Sequence, residues 1–79
     1  MSMKPTFEEF RDLVKKELTK YLDLNDEDLE EYLNDEDSVD VIQNQYEHSS
    51  KLLESGEITE TIFKNGSVSA ASHTLYMLY

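Results

Sequence analysis

The chain has 79 residues and no cysteine, so it is at most one domain and holds no disulfide, thiolate metal site or thiol nucleophile. Eighteen acidic residues against seven basic ones give a net charge of −11. That charge repels nucleic-acid phosphates and anionic lipid and speeds association with basic partners, although an acidic surface can also serve solubility alone.

No apolar run approaches the roughly 20 residues that a membrane span needs. Met1-Ser2-Met3-Lys4-Pro5-Thr6 leads straight into a charged segment and lacks the apolar stretch of a signal peptide, so a cytoplasmic protein is the expectation. A chain this short buries little more than half of its unfolded surface. Its core must come from helix packing, or be completed by a partner or a second copy.

Pro5-Thr6 followed by Glu9 reads as a capping box opening a helix over 6–22. Phe7, Phe10, Val14, Leu18, Tyr21 and Leu22 share one arc of it, with Leu13 at the edge. Acids crowd its first turns and bases its last, which suits the helix dipole, and Asp12 and Lys16 are spaced to pair. Asn25 caps a second helix over 26–34, with Asp26, Glu27 and Asp28 in its first turn and Leu29, Tyr32 and Leu33 as its buried side. So short a helix must dock on a neighbour to persist.

Asn34 or Ser38 can cap a central helix over 37–55, whose stripe is Val39, Ile42, Tyr46, Ser49 and Leu53 and which Gly56 ends. Thr59 caps a short helix over 59–65 carrying Ile62 and Phe63. Asn65-Gly66 reads as its stop, and Ser67 as the cap of a last helix over 68–78. The expectation is therefore an all-α fold, a compact bundle of four to five short helices forming a single domain over 1–79.

Two stretches stand out. Ten of the eighteen acids fall between Asp23 and Asp40, and no Lys or Arg occurs between Tyr21 and Ser50. Asp26, Glu27, Glu30, Glu31, Asp35, Glu36, Asp37 and Asp40 form a candidate acidic face. Leu75 to Tyr79 is uncharged and apolar or aromatic throughout. Either that helix fills the centre of the bundle, or Tyr76, Met77 and Tyr79 stay partly exposed as a contact for another chain, Tyr and Met being common at interfaces.

Catalytic and metal motifs are not evident. An EF-hand loop needs Gly at its sixth position, whereas a loop from Asp26 has Glu31 there and one from Asp35 has Asp40, leaving only weak divalent-ion binding by clustered carboxylates. His48 and His73 belong to no ligand-spaced pair and read as surface residues. The segment from Thr59 to Tyr79 has the outline of a helix-turn-helix, but from Ser67 onward it offers no Arg, Lys, Asn or Gln to phosphates or base edges. The expectations are no enzyme, no cofactor, no small-molecule substrate, no direct nucleic-acid binding and no membrane association.

The tail, Ser55-Gly56-Glu57-Ile58-Thr59 through Gly66-Ser67-Val68-Ser69 to Leu75-Tyr76-Met77-Leu78-Tyr79, resembles small uncharacterised proteins encoded on conjugative or phage-like mobile elements of Gram-positive bacteria. The resemblance spans the last third of the chain and implies an accessory role. The leading reading is a small accessory protein that binds another protein or itself through the last helix. The alternative is an acidic nucleic-acid mimic that occupies the phosphate-binding groove of a DNA- or RNA-binding protein. That complex would weaken steeply with salt.

Overall fold

The capping box at the start of the chain forms in full: the Glu9 N–H donates to Thr6 Oγ1 at 3.1 Å, and the Thr6 N–H donates to Glu9 Oε1 at 2.9 Å. The backbone hydrogen bond from Thr6, together with its hydroxyl, holds the Glu9 carboxyl below the usual carboxylate range. The computed structural model describes residues 4–79; Met1 to Met3, where the leader reading began, lie outside the described residues. Among those described the chain is all-α, with α1 (Phe7–Leu18), α2 (Asp26–Leu33), α3 (Glu36–Glu54), α4 (Glu60–Ile62) and α5 (Val68–Leu78). No helix is long and apolar enough to cross a membrane.

The first helix stops earlier than its apolar arc suggested. Lys20 and Tyr21 N–H groups bond three residues back, to Glu17 and Leu18, and the Thr19 hydroxyl donates to Lys16 O at 2.6 Å. This tightened turn swings Tyr21 outward, 56% exposed, while Leu22 returns to the core. The expected Asp12–Lys16 pair does not form among the described residues. The cations of α1 that make cross-helix pairs, Arg11 and Lys15, reach α2 instead.

Asn25 caps α2 as read, with Asp28 N–H donating to its side chain at 2.7 Å. The cap of α3 is neither Asn34 nor Ser38 but Asp35, whose carboxylate accepts from Asp37 N–H at 3.3 Å. Asn34 closes α2. Ser38 is buried one turn inside α3. Gly56 takes φ of 82° and ends α3, where Glu57 N–H donates to Leu52 O at 2.9 Å.

The largest departure comes at Asn65-Gly66, which stops nothing. Thr59 caps α4 as expected, but the chain then passes through a π-helical turn, Phe63–Ser67, directly into α5. Ser67 is helical and makes no cap bond; its hydroxyl donates instead to Ser49 Oγ at 2.6 Å, buried against α3. The reason lies in burial. Phe63, Ser67, Val68, Ala71, Ser72 and Leu75 are all buried at helical spacing, and only a continuous helix keeps them on one face. In a π turn bonds span five residues, which aligns Phe63 with Val68.

The core gathers where α1, α3 and this C-terminal run meet. Phe10, Tyr46 and Phe63 contact one another with ring centroids 5.4 to 5.7 Å apart, and Phe7 joins Tyr46 edge-on at 5.6 Å. Ala71 and Ser72 let α5 lie close to α1, with Ser72 Oγ 2.7 Å from Val68 O and 3.5 Å from Val14 O. Ser69 and Ala70, equally small, face solvent.

The two glycines should respond oppositely to alanine. A Cβ at Gly66 would meet Ile62 Cγ2 at an ordinary 3.5 Å, with no positive φ to strain it, so Gly66→Ala should stabilise by about 0.5–1 kcal/mol. Gly56→Ala should destabilise by about 1–2 kcal/mol, the cost of the left-handed conformation for a residue with a Cβ. Urea unfolding followed by circular dichroism measures both. Destabilisation by Gly66→Ala would mean that the helix does break there.

Candidate functional site

The acidic block is divided by what lies beneath it. Arg11 Nη2 donates to Glu30 Oε1 at 2.6 Å and to Asn34 Oδ1 at 3.2 Å, while Lys15 Nζ meets Glu30 Oε2 at 2.9 Å and Asp26 Oδ1 at 2.8 Å. Asp26, Glu30 and Asn34 lie four residues apart on one face of α2, and that face is turned to α1. Hydrogen bonds from Lys15 and then Arg11 hold the Glu30 carboxyl down at about 2. The hydrogen bonds that Lys15 donates to Asp26 and Glu30 in turn raise its own pKa above the ordinary value. Two of the eight candidate acids therefore fasten α2 to α1. Glu27, Glu31, Asp35, Glu36, Asp37 and Asp40 remain exposed, Asp35 with its capping duty.

The end of α5 is apolar and uncovered. Leu75 is fully buried, but Tyr76 (46%), Met77 (69%), Leu78 (59%) and Tyr79 (63%) are all exposed. Leu78 belongs with the exposed residues although it follows Leu75 at helical spacing. The reason is that α5 outruns its packing: beyond Leu75 it meets the edges of Tyr21, Tyr32 and Val41, which leave these side chains uncovered. Tyr32 anchors the last turn, donating its hydroxyl to Leu75 O at 2.7 Å and meeting the Tyr79 ring edge-on at 5.1 Å. Burial raises the Tyr32 phenol above its ordinary pKa. On the other side Tyr76 lies 6.0 Å from Tyr21, and these two rings with Ser69 and His73 line a depression of about 210 Å³.

Both halves of the sequence reading, the acids and the aromatic tail, thus locate surface residues. Sequence reasoning misplaced one neighbour that completes the surface, Tyr21, which it put in the α1 core arc; Tyr32 packs partly buried against the core, as read, and also reaches this edge. Tyr21 lies far from the tail in chain order, and its only local signal was the tyrosine itself, an amphipathic ring that often sits at a wet edge. His48 and His73 are both exposed, as read. Among the described residues no three His, Asp or Glu side chains converge to hold a metal ion.

Fold and surface together define a small acidic helical bundle with one helix end left apolar. Comparisons with protein-family models, with curated proteins and with solved structures find no match to this chain.

The Glu30 network sets a pH dependence. Because the folded-state pKa lies below the unfolded value of about 4.3, the stabilisation is present above that value and is lost as pH falls toward 2. At pH 6 Glu30→Gln should be less stable than the parent by roughly 1 kcal/mol, the scale of screened ion pairs at a half-exposed site. Urea melts at pH 6 and near pH 2 should show that difference close. A difference that persists at low pH would assign the stabilisation to packing rather than charge.

Proposed function

We propose that this is a small non-enzymatic accessory protein that works by binding another protein through the exposed end of α5. The observation that carries the reading is the run of four consecutive exposed apolar or aromatic residues, Tyr76 to Tyr79, with Tyr21 beside it. In a chain with so few apolar residues to spare, an uncovered patch of this kind marks a contact surface. Tyr and Met supply contact area that adapts to a partner, and neither carries charge to desolvate.

A partner of different sequence fits better than a second copy, because two chains of −11 repel as they approach. The resemblance of residues 55–79 to accessory proteins of Gram-positive mobile elements supports the same role and a bacterial, cytoplasmic setting. Nucleic-acid mimicry has less support, since Asp26 and Glu30 are already paired with Lys15 and Arg11.

The double variant Tyr76→Ser/Met77→Ser tests the reading, because both side chains lie outside the core and their loss should leave the helical content intact. Proteins retained by the immobilised parent chain should be lost from the variant, and light scattering should report a monomer at low and at physiological salt. Retention of the same proteins by a folded variant overturns the reading, and their release by modest salt would point to the acidic face instead. A dimer that persists in salt and dissolves in the variant would replace the foreign partner with a second copy.

A further inference from the structure

The two features that the sequence keeps far apart meet in space. Leu78 and Tyr79 lie over the turn between α2 and α3, where Tyr32 and Val41 complete an apolar floor. Two adjoining depressions are cut into it, sharing Tyr32, Asp35 and Leu78. One, of about 330 Å³, runs between Leu78, Tyr32 and Val41 with Asp35, Asp37 and Asp40 at its margin. The other, of about 490 Å³, is bounded by Tyr79, Asp28 and Glu31.

No basic side chain lines either depression. The five marginal carboxylates, on Asp28, Glu31, Asp35, Asp37 and Asp40, form no ion pair among the described residues. The two cations that reach α2, Arg11 and Lys15, are spent on its opposite face.

We propose that this acid-rimmed apolar cleft between the α2–α3 turn and the end of α5 is a docking site for a basic amphipathic protein segment, one that seats an apolar side chain against Tyr32, Val41 and Leu78 while flanking Lys or Arg residues pair with the rim. The inference rests on the proposed function and narrows it, giving the partner its chemistry.

Charge complementarity selects this occupant. A nucleic acid or an anionic lipid surface meets five like charges at the rim. A second copy brings a net −11 to the same rim. A purely apolar segment leaves the carboxylates without partners as it desolvates them. A purely basic one leaves the floor of Tyr32, Val41 and Leu78 uncovered. A segment carrying both satisfies both, and the rim charges would speed its encounter and fix its register.

The probe is a short synthetic helical peptide of leucine and lysine only, with binding followed by fluorescence anisotropy. The parent chain should bind it, should bind less well as salt rises, and should not bind the same peptide with glutamate in place of lysine. Leu78→Ser and the triple change Glu31→Gln/Asp37→Asn/Asp40→Asn should each weaken binding about tenfold, the sum of a few surface contacts.

A control triple, Glu8→Gln/Asp12→Asn/Asp23→Asn, removes the same charge elsewhere and should change binding by less than about twofold. Equal loss from the two triples would reduce the effect to bulk attraction and overturn the proposal. Loss in Tyr76→Ser/Met77→Ser with none in Leu78→Ser would overturn the cleft while leaving the exposed helix end as the contact surface. Loss in none of the variants would remove both. Leu78 is exposed and the changed acids make no ion pair, so matched circular dichroism spectra are expected throughout.

Discussion

Phe10 from α1, Tyr46 from α3 and Phe63 from the π-helical turn touch pairwise with centroids no more than 5.7 Å apart, and both phenylalanines are fully buried. Each ring pair adds about 0.5–1.5 kcal/mol to what burial alone provides, a large share of the stability of so small a chain. The triangle joins positions remote in sequence. It holds the start, middle and last third of the chain in one frame, and Tyr46 extends it by donating its hydroxyl to Pro5 O at 2.7 Å. Because Phe63 must sit here while Leu75 fills its own place between helices, the backbone between them has no room for a break.

A second constraint is electrostatic. α2 has only eight residues and an acidic surface, and alone in water it would not form. Leu29 and Leu33 seat it on the core, and Arg11 and Lys15 grip its Asp26–Glu30 face. That grip decides the charge pattern of the whole molecule. It consumes two carboxylates and two cations on one side, leaving the other side of α2 and the start of α3 with acids alone. The polarity of the surface follows from which helix the short one docks on.

The proposed function rests on the meeting of these two arrangements. The continuous C-terminal helix is carried past the end of its packing, so Tyr76 to Tyr79 emerge into solvent. The hydroxyl of Tyr32 then fixes the last turn beside the uncompensated acids. The apolar end marks the contact, and the acidic face beside it adds a charge preference. Together they give the proposed partner its chemistry: an apolar side chain held between positive charges.

Much of the local structure was legible in the residues. The Thr6–Glu9 box, the Asn25 and Thr59 caps, the left-handed Gly56 and the Phe10–Val14–Leu18 stripe all act within a turn or two of themselves, and all form as read. What failed was of another kind. Gly66 has the same local signal as Gly56, yet it stays helical, because whether a glycine ends a helix depends on what the residues beyond it must bury. Tyr21 lies outside the core although its spacing put it in, since α1 tightens after Leu18; Ser38 lies inside although its chemistry suited a cap, since Asp35 took that place. No sequence pattern set Leu78 and Tyr79 beside Asp35 and Glu31. The sequence determined the helices and their caps by short-range hydrogen bonds and apolar spacing, whereas the exposed surface was decided only by packing, because contacts between distant segments settle which faces are covered.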